Sequence, residues 1–108
     1  MIKNQEQNKG IEKIIEDDNI KAAEINKLDG ITFKTRLEAI SSQFEGEFTI
    51  HDILSKFGLS RYRSFPAHPS HSTLVRRIKH LLIQEMRDGC LKYRTNTDMI
   101  VFYSKITR

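Results

Sequence analysis

Arg76, Arg77, Lys79 and His80 crowd into one short run, and side chains of these types bind phosphate oxygens and the acceptor edges of bases. Their spacing shows what else the run must do. At the α-helical step of 100° per residue from Leu74, the side chains of Leu81, Leu74, Ile78, Leu82, Val75 and Met86 fall within an arc of about 140°. Thr73, Arg76, Arg77, His80, Gln84 and Arg87 fall on the opposite side. One face suits a hydrophobic core and the other suits something negatively charged.

The surrounding charge is segregated in the same sense. The chain has a net charge of +4. Residues 1–30 hold five Lys against seven acids, net −2, and residues 31–108 hold thirteen Lys and Arg against seven acids, net +6. Between Asp52 and Glu85 there is no acidic residue, while Lys56, Arg61, Arg63, Arg76, Arg77 and Lys79 lie there with His68, His71 and His80. Clustered positive charge raises the local potential and favours polyanions. Within that window Arg61, Tyr62, Arg63 and Phe65 alternate cation and aromatic, a mixture that offers phosphate contacts and stacking surfaces. The aromatics could equally pin a loop to the core.

Other chemistries find less support. His68, His71, His80 and Cys90 are metal-ligand types, but no second cysteine or Cys-x-x-Cys pair accompanies them. Cys90 opens an apolar run, where an inert thiol is the default. No glycine-rich phosphate loop or paired-carboxylate cleft is visible, so neither a catalytic residue, a metal nor a cofactor is expected. Glu85 falls inside the apolar arc, where it either pairs with an arginine or sits at a frayed edge.

The elements that must position these side chains can be read from the punctuation of the chain. At 108 residues, 38% of them hydrophobic, there is room for one small domain and an appendage. A lone cysteine allows no intrachain disulfide, no apolar run approaches the ~20 residues of a membrane span, and the first residues lack the apolar core of a signal peptide. A cytoplasmic protein is the expectation. Residues 11–28 carry a thin helical stripe (Ile11, Ile14, Ile15, Ala22, Ile25, Leu28), too weak to hold a helix alone. This acidic extension, residues 1–30, is either a helix docked on its own chain or on a second copy, or a disordered tail. Asp29-Gly30 would end it, with Gly30 left-handed.

A second helix is predicted over Thr32–Phe44, starting at Thr32 or at Thr35, where Glu38 completes a capping box. Thr49 and Asp52 cap a third, short helix that Phe48 and Ile53 staple and Gly58 ends. Pro66 and Pro69 keep the next connection out of regular helix. The basic helix follows and stops at Asp88-Gly89. Leu91–Arg94 and Met99–Tyr103 then read as a hairpin about a Thr95–Asp98 turn.

This order, and the run S72-T73-L74-V75-R76-R77-I78-K79-H80-L81-L82 leading to D88-G89-C90-L91-K92-Y93, resembles the winged helix-turn-helix superfamily of DNA-binding domains over about residues 31–105. The resemblance implies an α+β fold, a small winged helix-turn-helix domain of three helices plus a C-terminal β-hairpin wing. It also implies that the basic helix is the recognition helix. Thr73, Arg76, Arg77 and His80 would then face the major groove, with the two arginines reading guanine. Lys79 would add to the same positive surface. Ser70 and Ser72 at the helix start would take a phosphate oxygen. Arg61, Arg63, Lys92 and Arg94 would contact the backbone. About six such contacts would cost on the order of a thousandfold in affinity between 50 and 200 mM salt. The implied function is sequence-specific binding of double-stranded DNA in transcription regulation, as a homodimer joined through the acidic extension. The alternatives are a winged-helix module for protein contacts and a DNA binder without base readout. The chain departs from the family in its long connection, residues 58–70, where helix-turn-helix units use three or four residues.

Overall fold

In the computed structural model, which describes residues 2–60 and 66–106 and side chains from Gly10 onward, four helices precede one hairpin. They are α1 (Ile2–Asn26), α2 (Gly30–Ser41), α3 (Ile50–Lys56) and α4 (Pro69–Arg87), followed by β1 (Leu91–Thr95) and β2 (Val101–Lys105). The fold is α+β, and the hairpin is antiparallel, with Tyr93 opposite Tyr103.

Local signals placed the middle of the chain. Thr49 accepts from the Asp52 N–H (3.2 Å) while Asp52 accepts from the Thr49 N–H (2.9 Å), so both members of the capping box are in place. Gly58 (φ +92°) and Gly89 (φ +77°) take the left-handed conformation just past α3 and α4, where a side chain would be strained. Phe48 lies in a short extended piece that pairs with β2: its N–H donates to the Tyr103 carbonyl (2.9 Å) and its carbonyl accepts from the Tyr103 N–H (2.8 Å). Phe44, Phe48 and Tyr103 stack in succession at 4.9 and 6.0 Å between ring centroids, tying the end of α2 to the hairpin.

The core is one cluster, built from Phe33, Leu37, Ile53, Phe57, Leu74, Ile78, Leu82, Leu91 and Tyr103 among others. Leu74, Ile78 and Leu82 are fully buried, as the apolar arc of the basic helix requires. Ala22 and Ile25 of α1 belong to the same cluster. The packing therefore does not break at Gly30, where extension and domain were expected to part.

Three expectations need correction. Gly30 is not a left-handed stop. It opens α2, because the Asp29 carboxylate accepts from the Thr32 N–H (2.6 Å) and caps the helix earlier than Thr32 or Thr35 would. Pro69 does not exclude helix; it is the first residue of α4, where a missing N–H costs nothing. The hairpin turn is longer than predicted. Asn96 Oδ1 accepts from the N–H of both Asp98 and Ile100 (2.9 Å each), which draws Met99 (φ +64°) and Ile100 into the turn and delays β2 to Val101.

Candidate nucleic-acid interface

Helix α4 has two flanks with different fates. Thr73, Arg76, Lys79, His80, Ile83, Gln84 and Arg87 are exposed and form one open arc. The only acid of α4 is Glu85, which lies on the core side, so the open arc carries no carboxylate. His80 Nε2 lies 3.1 Å from Gln84 Nε2, one turn on. Thr73, Arg76, Lys79 and His80 all lie on this exposed flank.

Arg77 does not lie with them. This side chain is half-buried and turned toward α1. Its guanidinium donates to the carbonyls of Ile25 (3.4 Å), Asn26 (3.1 Å) and Leu28 (3.1 Å). The Ile25 carbonyl also accepts from the Leu28 N–H (3.0 Å) in the closing turn, and a cation at this end of α1 meets the negative end of the helix dipole. The same guanidinium sits 4.0 Å over the Phe33 ring. Phe33 stacks on Phe57 at 5.9 Å, and Arg36 lies over Phe57 at 5.4 Å. The result is an arginine–phenylalanine–phenylalanine–arginine stack joining α2, α3 and α4. Arg77 is committed to the fold and is not available to a base.

Ser70 is likewise engaged. Its carbonyl accepts from Asn26 Nδ2 (2.8 Å), and its N–H donates to Nδ1 of the N-cap His68 (3.1 Å). Glu12 and Glu16 of α1 line the groove beside His68 and Ser70. An occupied N–H with carboxylates nearby is the opposite of what a phosphate oxygen needs, so Ser70 does not form the site expected of it. Ser72 is half-buried one turn into the helix.

In the hairpin, Lys92 is exposed. Arg94 lies on the same face but is already paired. It stands opposite Phe102 across the hairpin, covers that ring at 4.5 Å and reaches Glu47 with two hydrogen bonds of 2.5 and 2.9 Å. The row Arg94–Phe102–Glu47 follows from Phe48 pairing beside β2, which sets Glu47 on the Phe102 side. The guanidinium hydrogen bond holds the Glu47 carboxyl below the usual carboxylate range, and raises Arg94 in turn. Arg61 and Arg63, with Tyr62 and Phe65, lie outside the described residues.

The long connection is anchored where it is described. Asp18 of α1 is buried and accepts from the Ser60 N–H (2.9 and 3.1 Å) and the Ser60 hydroxyl. Lys21 donates to the Gly58 carbonyl (3.0 Å) at the end of α3. His51, which lies just before the acid-free window, was not singled out in the sequence. It is exposed on α3 and lines a groove with Lys79 between α3 and α4, and only the packing of those helices brings the two together.

Glu85 is partly buried, and desolvation, with Glu38 nearby, pushes its carboxyl above the usual range. It makes no ion pair with an arginine among the described residues. Among the described residues no three His, Cys, Asp or Glu side chains gather at metal-binding distance, and no helix is long and apolar enough to cross a membrane. No protein-family model, curated protein or solved structure matches the chain.

Proposed function

We propose that the protein is a winged helix-turn-helix transcription regulator that binds double-stranded DNA through the open arc of α4, with sequence preference. The observation that carries this reading is that arc itself. Arg76, Lys79, His80 and Arg87 project to solvent without a carboxylate among them, on a helix whose other flanks are fixed to the core and to α1. The element order supports it: α2, an extended residue paired to the hairpin, α3, α4, a left-handed glycine and then the hairpin follow the sequence of parts in that superfamily.

Within this reading the roles are narrower than the sequence implied. Arg76 is the base reader, since Arg77 is held by α1. Thr73 and His80 flank it. Lys79 and Lys92 contact phosphates, and Arg94 joins them only by giving up Glu47. With Arg61 and Arg63, which the sequence assigns to the backbone, about four phosphate contacts then remain, and affinity should fall on the order of a hundredfold between 50 and 200 mM salt.

A second reading, a protein-contact module, has one observation in its favour: Ile83 is 44% exposed in the middle of the basic arc. In the DNA reading the same side chain faces thymine methyl groups in the major groove. Selection of binding sites from random duplex DNA over a salt series, repeated with Arg76→Ala, separates the two. An enriched motif that Arg76→Ala relaxes at one position supports base readout. Binding without enrichment supports an architectural role, and no binding at any salt removes DNA as the ligand.

A further inference from the structure

The grooves of the described surface differ in sign. The one beside His68 is lined by Glu12 and Glu16, and the one beside Cys90 by Glu38, Glu85 and Asp88 against Lys105 alone. Both disfavour an anion. A third groove, about 360 Å³, runs between the start of α2 and the Arg77 flank of α4. Gly30, Phe33, Arg76, Arg77, His80 and Leu81 line it, and none of them is an acid. The neighbouring Asp29 carboxylate is turned to the Thr32 N–H as the cap of α2.

The lining residues also select a shape. The floor is apolar, Leu81 beside the buried Phe33. Gly30 adds no side chain, and one placed there would meet nothing within 4 Å, so the groove is open over the start of α2. Arg77 forms a fixed wall. Its Nη1 and Nη2 donate to the carbonyls of Ile25, Asn26 and Leu28, and one face of the guanidinium lies 4.0 Å over Phe33. What it leaves to the groove is chiefly the other face of a planar cation, a surface suited to stacking. Arg76 and His80 are exposed at the rim, where a guanidinium and a ring N–H can donate to an anionic oxygen. A volume of this order is at the lower end of small-molecule sites.

We propose that this groove binds a small planar aromatic carboxylate. The ring lies against Leu81 and the outer face of Arg77, and the carboxylate is held by Arg76 and His80. The charge of the rim selects the anion, and the stacking face selects the flat ring. Occupying the groove takes Arg76 and His80, which the DNA reading assigns to the major groove, so ligand and DNA exclude one another. That consequence rests on the DNA reading; the binding site does not.

Titration of the isotope-labelled full chain with naphthoate, followed by backbone amide NMR shifts without nucleic acid, tests the site whether or not DNA binds. One equivalent per chain should saturate it, with shifts gathered at Gly30, Phe33, His80 and Leu81. Naphthamide lacks the charge and cyclohexanecarboxylate lacks the flat ring, and each should bind at least about tenfold more weakly. Arg76→Ala should weaken naphthoate by about tenfold. Lys34→Ala, which removes an exposed cation of α2 outside the groove, should not. An unchanged cooperative melt confirms that each variant folds. No saturation at millimolar naphthoate overturns the proposal. So do shifts centred on apolar residues elsewhere, such as Ile20 or Met99, analogues that bind as tightly as naphthoate, or an Arg76→Ala variant that binds like wild type. With a selected duplex present, naphthoate should release the DNA; a ternary complex overturns the exclusion and leaves the site standing.

Discussion

Arg76 and Arg77 are adjacent, identical in type and both drawn by the helical wheel onto one polar face, yet the fold gives them opposite tasks. Arg76 extends into solvent. Arg77 closes the end of α1 and covers Phe33. The difference teaches that a basic face is not a uniform interface. At its edge, about 60° of arc from Leu74, a cation is close enough to the core side to be recruited by another element, and α1 recruits this one. The two flanks of α4 should therefore separate cleanly under mutation, one reporting stability and the other binding.

The largest effect is expected from Arg77→Ala. It removes charge-assisted hydrogen bonds to three carbonyls and a cation over an aromatic face, a loss of about 2–3 kcal/mol, measured as a lower urea midpoint with an unchanged slope. Arg76→Ala should stay within about 0.5 kcal/mol of wild type in the same assay, yet lower affinity for selected DNA roughly tenfold. If Arg77→Ala melts like wild type and Arg76→Ala does not, the assignment of the flanks is reversed.

On the α1 side, Asp18→Ala should be the next most damaging. Asp18 is buried and carries the N–H and hydroxyl of Ser60. Removing it leaves those donors without that acceptor, at about 1–3 kcal/mol. Because Ser60 begins the connection to α4, faster proteolysis between residues 60 and 69 should accompany the loss of stability. Cleavage unchanged from wild type would show that the connection is held elsewhere.

How much of this was legible beforehand divides along the same line. Thr49 with Asp52, Gly58, Gly89 and the Leu74–Leu82 stripe act over four residues or fewer, and the sequence displays such interactions directly. Arg77 depends on partners some fifty residues away. Nothing in its neighbourhood announced them, and only its place at the edge of the arc hinted that it differed from Arg76. The docking of α1 was open for the same reason: its stripe is too thin to reveal which surface it meets, and Asp18, Lys21 and Asn26 add long-range hydrogen bonds to the burial of Ala22 and Ile25. In the hairpin, Met99 and Ile100 looked like strand. Asn96 overrode that preference by satisfying two backbone donors with its own side chain.

The hairpin sharpens the comparison from a third position, since Arg94 resembles Arg77 in being paired but resembles Arg76 in being exposed. Glu47→Gln should leave the melting temperature unchanged, as an exposed ion pair contributes little. It should also free Arg94 for a phosphate and steepen the log–log salt dependence of DNA binding by about one. If binding and its salt slope are both unaffected, the hairpin does not touch the nucleic acid, and the interface is confined to α4.

The smallest effect is expected at Glu85, the one acid of α4, set near Glu38 and away from the open arc. Desolvation, with repulsion from Glu38, raises its carboxyl above the usual range, so the folded state binds this proton more tightly than the unfolded state does. The contribution to stability is then fully present below the ordinary glutamate range, about pH 4. It is lost as pH rises through the elevated folded value. Glu85→Gln removes that dependence. The variant should melt slightly higher than wild type at pH 7, and the two should converge as the pH falls toward 4. A gap that widens on acidification would mean that Glu85 is stabilised as the anion by Lys34 or Lys105, the nearby cations that oppose the shift. The charge separation along α4 would then be a product of paired groups and not of burial.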